Sequence, residues 1–249
     1  MKRRTFLGSS VCAIMLPSIG FGADEQNATA LAGDRFEIDD QEYFLTDIVA
    51  PVIVNAGPPA PYAQQAKSSL AAILKSPFTD IRQIGPDDRW GRMGVLAISD
   101  ASGDGLSVQE LLVREGSARV YPQSDETQFI RQLLALEDEA RQREKGLWAH
   151  GEYAVRSSDH ADDAVGSYHL VEGTVLNVTE TRSRTYVNFG KDYRTDFTVT
   201  AASKIRRHLS DVGLDLESLA GKTIRTRGFL AWINGPSIEL DHALQVEVL

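Results

Sequence analysis

Apolar positions fall into two blocks along the chain, and each block changes period partway through. In the first, Phe36 and Ile38 alternate with polar neighbours, Asp39-Asp40-Gln41 supplies a turn, and Tyr43 to Ile48 returns as a second strand. Pro51 cannot continue a ladder and ends it. A loop rich in Gly and Pro follows, from Asn55 to Pro61. The period then becomes helical through Ala63, Ala66, Leu70, Ile73 and Leu74. Phe78 to Ile84 and Met93 to Ser99 read as strands joined by a turn at Asp87 to Arg92. Ser107-Val108-Gln109-Glu110 is a capping box that opens a short helix ending at Gly116. A last helix runs from about Asp125 to Gly146, with Phe129, Leu133, Leu136 and Ala140 on one face.

Residues 151–166 are small and polar and carry little periodicity, so they read as a linker. The second block, 167–249, starts with alternation from Tyr168 to Val178. Strands at Thr185–Phe189 and Thr195–Ala201 follow, then a helix through Ile205, Leu209 and Val212. Strands at Thr223–Ile233, Ser237–Leu240 and Gln245–Val248 close it. Three strands, a helix and two more strands is the order of an OB barrel, and Gln245–Val248 closes the block as a further short strand. The expected fold class is a β-barrel-rich α+β protein with two small barrels, the first (24–150) carrying helices at one end.

The amino terminus changes how the charge is read. Lys2, Arg3 and Arg4 precede an apolar, small-residue stretch from Phe6 to Phe21, which predicts a cleaved signal over residues 1–23. Arg3-Arg4 suits a twin-arginine route as well as the general one. The expected location is periplasmic or secreted, with no integral span after cleavage. Cys12 is the chain's one cysteine and lies in this segment, so disulfides cannot stabilise the exported chain. The whole chain has formal charge −9. Without the three signal cations it has 23 basic and 35 acidic residues, net −12. Residues 167–249 hold ten of each, so the whole imbalance lies in 24–166. That disfavours a polyphosphate ligand for the first block and says nothing about the second. His160 with Asp159, Asp162 and Asp163 is the only metal-like cluster and reads as a solvated acidic run. Gly221-Lys222-Thr223 enters a strand rather than a helix and is not a phosphate loop.

Three segments carry a family likeness: Asp87-Asp88-Arg89-Trp90-Gly91-Arg92, then Val108 to Gly116, then Ala140 to Trp148. In order and spacing they resemble the thermonuclease, or staphylococcal-nuclease-like, family over about 33–150. The resemblance implies an OB barrel with helices and calcium-assisted phosphodiester hydrolysis. The family takes its groups from an Asp in the first strand, an Arg followed by Asp-x-Pro-Glu in the second, and the Arg of the Gly-Arg turn. Asp34 matches the first metal carboxylate and Arg92 the turn arginine. With Pro51 as anchor, Phe44 stands in place of the strand Arg, Val49 in place of the second metal Asp and Val52 in place of the catalytic Glu. Asp47 shares strand parity with position 49 and is the candidate substitute.

The expected function is therefore an exported thermonuclease-like protein that has lost its chemistry and acts as a binding or interaction module. It needs no cofactor. One alternative is an active phosphodiesterase using Asp34, Asp47, Arg92 and calcium; another is a structural envelope protein. The expected partners are single-stranded nucleic acid or an envelope protein. Nucleic-acid candidates are Arg225 and Arg227, which share parity on one strand, together with Arg194 and Trp90. Arg182, Arg184, Tyr186, Lys191, Tyr193 and Trp232 are further ones.

Overall fold

A computed structural model describes residues 27–52, 60–101, 103–211 and 213–249. The segment expected to be an export signal, most of the Gly/Pro-rich loop and Val212 lie outside the described residues. The elements follow the alternation closely. The first block holds β1 (Thr29–Ala30), β2 (Arg35–Ile38), β3 (Gln41–Leu45), β4 (Ile48–Val49), α1 (Ala63–Ile73), β5 (Phe78–Gln83), β6 (Met93–Ser99), α2 (Val108–Arg114), β7 (Arg119–Val120) and α3 (Thr127–Gln142). Asp39 and Asp40 both take positive φ, the geometry a tight hairpin between β2 and β3 requires. The sheet order is β1-β2-β3-β6-β5, with β3 and β6 parallel and β4 paired to β7. Phe36, Leu45, Leu70, Val95, Leu112 and Ile130 are all but inaccessible and centre the core between sheet and helices.

The Ser107 capping box forms as the sequence predicts, with Ser107 and Glu110 each satisfying the other's backbone N–H. The turn after α2 and the turn after α3 touch. Leu147 N–H donates to Gly116 O at 2.8 Å, and a Cβ on Gly116 would lie 2.2 Å from Lys145 O. Gly116 also has φ +71°, so only glycine fits this crossing.

The second block holds β8 (Arg156–Ser157), β9 (Tyr168–Thr174), β10 (Asn177–Glu180), β11 (Arg184–Asn188), β12 (Thr198–Ala202), α4 (Ser203–Asp211), β13 (Thr223–Trp232), β14 (Pro236–Leu240) and β15 (Val246–Val248). The sheet path is β10-β11-β12-β14-β13-β9, with β12 and β14 parallel. Only Val175 and Leu176 separate β9 from β10. Val175 N–H donates to Lys222 O on one side and Leu176 N–H to Asn188 O on the other. One bent strand thus opens and closes the path, which makes the sheet a closed barrel in OB order.

Residues 151–166, read from sequence as a linker, are folded. Tight helical turns at Gly151–Tyr153 and Ser158–Ala164 flank β8, which pairs with β9. The Tyr153 hydroxyl donates to Pro61 O, while Ala161 and Ala164 enter the second core. Low apolar content hid this packing, because small alanines suffice where the backbone approaches closely. A third cluster of Val49, Ala140, Leu147, Trp148, Tyr153, Tyr168 and Leu170 joins the two barrels.

Candidate ligand cleft and domain interface

Asp34 precedes β2, where the hairpin delivers it to the start of a cleft of about 960 Å³. One carboxylate oxygen accepts Ala50 N–H at 2.9 Å, and the other lies 3.8 Å from Arg35 Nε. Burial raises the Asp34 pKa, with the Ala50 N–H and Arg35 opposing it.

Arg92 enters the same cleft from the turn between β5 and β6. Gly91 takes φ +78°, which lets the chain fold back so that Asp88 can accept the N–H groups of Trp90 and Arg92. The other Asp88 oxygen grips the Arg92 guanidinium at 2.6 Å (Nε) and 2.5 Å (Nη2). Burial pushes the Asp88 carboxyl up, but Arg92 and these two N–H groups outweigh it and hold it below the ordinary carboxylate range. The Trp90 indole is 65% exposed and lies under two guanidiniums, Arg89 at 4.0 Å and Arg92 at 4.7 Å from its centre.

Phe44, Val49, Pro51 and Val52 also line the cleft, as do Tyr121 and Phe229. Phe229 belongs to β13, so the second barrel supplies part of the wall. It packs edge-on against Tyr121 and Tyr168. The family positions that would carry Arg, Asp and Glu therefore do converge in one cleft with Asp34 and Arg92, and their side chains there are apolar.

Asp47 does not join them, which corrects its expected role as a substitute. It takes φ +68° in the break between β3 and β4, so strand parity does not carry from 49 to 47. Its side chain is fully buried, accepting Gln123 N–H (2.7 Å), Ser124 N–H (2.8 Å) and the Ser124 hydroxyl (2.5 Å). It pins the segment before α3. Asp47→Ala should cost about 2 kcal/mol by stranding these donors, read as a lower urea midpoint.

The fit to calcium is poor. A hard cation needs six to eight oxygen ligands, roughly, drawn largely from carboxylates. Asp34 already gives one oxygen to Ala50, and positions 49 and 52 offer methyl groups. Among the described residues, no group of three Asp, Glu, His or Cys side chains is arranged to hold a metal.

Arg225 and Arg227 are also corrected: neither faces solvent. Arg227 is 1% exposed and meets Glu137 of α3, itself 0% exposed, at 2.5 Å. It also pairs with Glu247 and donates to Val120 O at 3.2 Å. Burial would lower the Arg227 pKa, but Glu137, Tyr168 and Glu247 outweigh it and hold it above the ordinary value. Arg225 bonds Glu172 at 2.7 Å and reaches Asp138 of α3 at 3.3 Å. On the other side, Arg119 donates to Tyr168 O and packs over the Tyr153 and Tyr168 rings. These cations fasten barrel to barrel. Arg194 and Tyr193 remain exposed on the loop between β11 and β12. Arg184 pairs with Glu239 at 3.2 Å.

Sequence reasoning missed Glu137, Arg119, Tyr168 and Phe229. One signal was available: Leu133, Glu137 and Ala140 share a face of α3, so a carboxylate sits on an apolar stripe.

Comparison with known proteins agrees with the fold. Residues 43–150 match the family model of the staphylococcal nuclease homologues. No curated protein matches the chain. Among the described residues no helix is long and apolar enough to cross a membrane. The helix-packed five-stranded sheet, the Asp88–Arg92 turn and the span of that match agree: over residues 43–150 the chain is similar to the staphylococcal nuclease homologues.

Proposed function

We propose that this is an exported protein whose nuclease-type domain binds a ligand in its cleft and does not cut phosphodiesters. The observation that carries this is the cleft lining. Hydrolysis needs a carboxylate base at the attacking water and cations free to neutralise charge on phosphorus. Here the corresponding positions present Phe44, Val49 and Val52, and the Arg92 charge is already paired with Asp88 through Nε and Nη2, so it is not a free cation for the phosphorus centre. Val49 also packs with Trp148 and Tyr168 where the second barrel docks, so a carboxylate there would be buried against apolar atoms. The second barrel then contributes walls and stability rather than a strand-binding face lined by Arg225 and Arg227. Export rests on the Lys2-Arg3-Arg4 and Phe6–Phe21 pattern.

The test is cleavage of single-stranded DNA and RNA by the purified protein, with calcium and with chelator. The expected result is no calcium-dependent product above a no-protein blank. Calcium-dependent cleavage that vanishes in Arg92→Ala would instead establish the active phosphodiesterase. Export is tested by fractionation, with the mature chain expected outside the cytoplasm and lacking residues 1–23.

A further inference from the structure

Four carboxylates line the cleft (Asp34, Asp40, Glu42 and Asp88) against two guanidiniums, Arg35 and Arg92. Both guanidiniums already face carboxylates, Arg92 that of Asp88 and Arg35 that of Asp34. Asp40 and Glu42 make no ion pair among the described residues. The rim is therefore negative on balance, in a segment, 24–166, whose own net charge is −12. A phosphodiester entering it would meet like charge well within the Debye length of about 8 Å. A cation would meet the opposite. It would also relieve Asp34, whose ionised form burial disfavours.

The floor adds a second requirement. Val52 is 53% exposed and Phe229 50%, and both line the cleft together with Val49 and Pro51. Exposed apolar surface rimmed by charge is typical of a docking site. A small polyamine would satisfy the carboxylates and leave this floor wet. An extended polypeptide satisfies both, because successive side chains point to opposite sides about every 3.3 Å. Basic side chains can then reach the Asp34, Asp40 and Glu42 rim while apolar ones cover Val52 and Phe229.

We propose that the cleft is a docking groove for an extended basic polypeptide segment in which apolar side chains alternate with Lys or Arg. This rests on the reading of the cleft as a binding site and names its ligand class.

The experiment is fluorescence anisotropy on the full mature protein with a labelled peptide alternating leucine and lysine. Competitors are its leucine–glutamate and serine–lysine analogues, spermine, and oligothymidylate. Micromolar binding is expected, at least about tenfold weaker for either peptide analogue and in Val52→Lys or Glu42→Lys. Both substituted positions reach solvent, so the variants should fold, and unchanged circular dichroism checks this. The proposal is overturned by no binding, by binding indifferent to both substitutions, or by spermine or oligothymidylate competing as well as the parent peptide. Failure of the peptide with no calcium-dependent cleavage sinks the ligand class alone. Calcium-dependent cleavage sinks the underlying reading.

Discussion

Arg227→Ala should lower the free energy of unfolding by about 3–5 kcal/mol, the cost of breaking a buried ion pair on one side. The magnitude follows from what the substitution strands. Glu137 is 0% exposed, and besides the guanidinium it accepts, among the described residues, only Val120 N–H, at 2.6 Å. Without Arg227 its charge stays in a site closed to water, and Val120 O and Glu247 each lose a donor. Replacing both partners should be far milder. Arg227→Met with Glu137→Gln keeps an acceptor for Val120 N–H and buries no charge, so most of the loss should return. Urea unfolding of the two variants checks both statements. A loss under about 1 kcal/mol for Arg227→Ala would mean that the pair is solvated and the interface looser than described.

The same contacts change what a fragment can report. Cutting the chain at 167 would bare Arg225, Arg227, Tyr168 and Leu170, all buried in the intact protein. The fragment would then expose both cations with only its own Glu172 and Glu247 to pair them, a surface that the intact protein does not present. Affinity for nucleic acid is therefore informative only on the whole chain.

Most of both blocks is legible in the sequence, because strands such as β2 alternate, β6 reads as a continuous apolar run and the helices keep their stripes. The capping box at Ser107 and the turn at Asp39-Asp40 are local devices and appear where the residues put them. What the sequence does not disclose is which faces meet. Parity places Arg225 and Arg227 on one side of β13, but it cannot say whether that side sees water. Docking of α3 decides that, through Glu137 and Asp138. Asp47 fails for a different reason: parity holds only along an unbroken strand, and a left-handed residue between β3 and β4 resets it. The cleft lies between these cases. Asp34 and Arg92 are readable from the family's motifs, whereas the Phe229 wall comes from a strand almost 140 residues further along than Arg92 in roughly linear count, beyond any local pattern.

Acid should destabilise the protein through His169. This histidine lies on β9, is 7% exposed, and has no partner for Nδ1 among the described residues. Burial pushes its pKa down from 6.5 to about 4, and the nearby Arg119 and Arg156 push the same way. In the unfolded chain the imidazole takes a proton as the pH falls through 6.5, while in the folded chain it stays neutral until about 4. The unfolded state then holds the extra proton, so stability falls with pH across that window and His169 adds no further loss below it. Each pH unit is worth about 1.4 kcal/mol, which gives a loss of about 3 kcal/mol by pH 4. His169→Gln cannot titrate, and any packing cost it carries is the same at both pH values. Urea unfolding at pH 7 and pH 4 should therefore show the variant losing about 3 kcal/mol less than the parent. Equal losses in the two proteins would place His169 in contact with solvent or with a proton acceptor, and the acid sensitivity elsewhere.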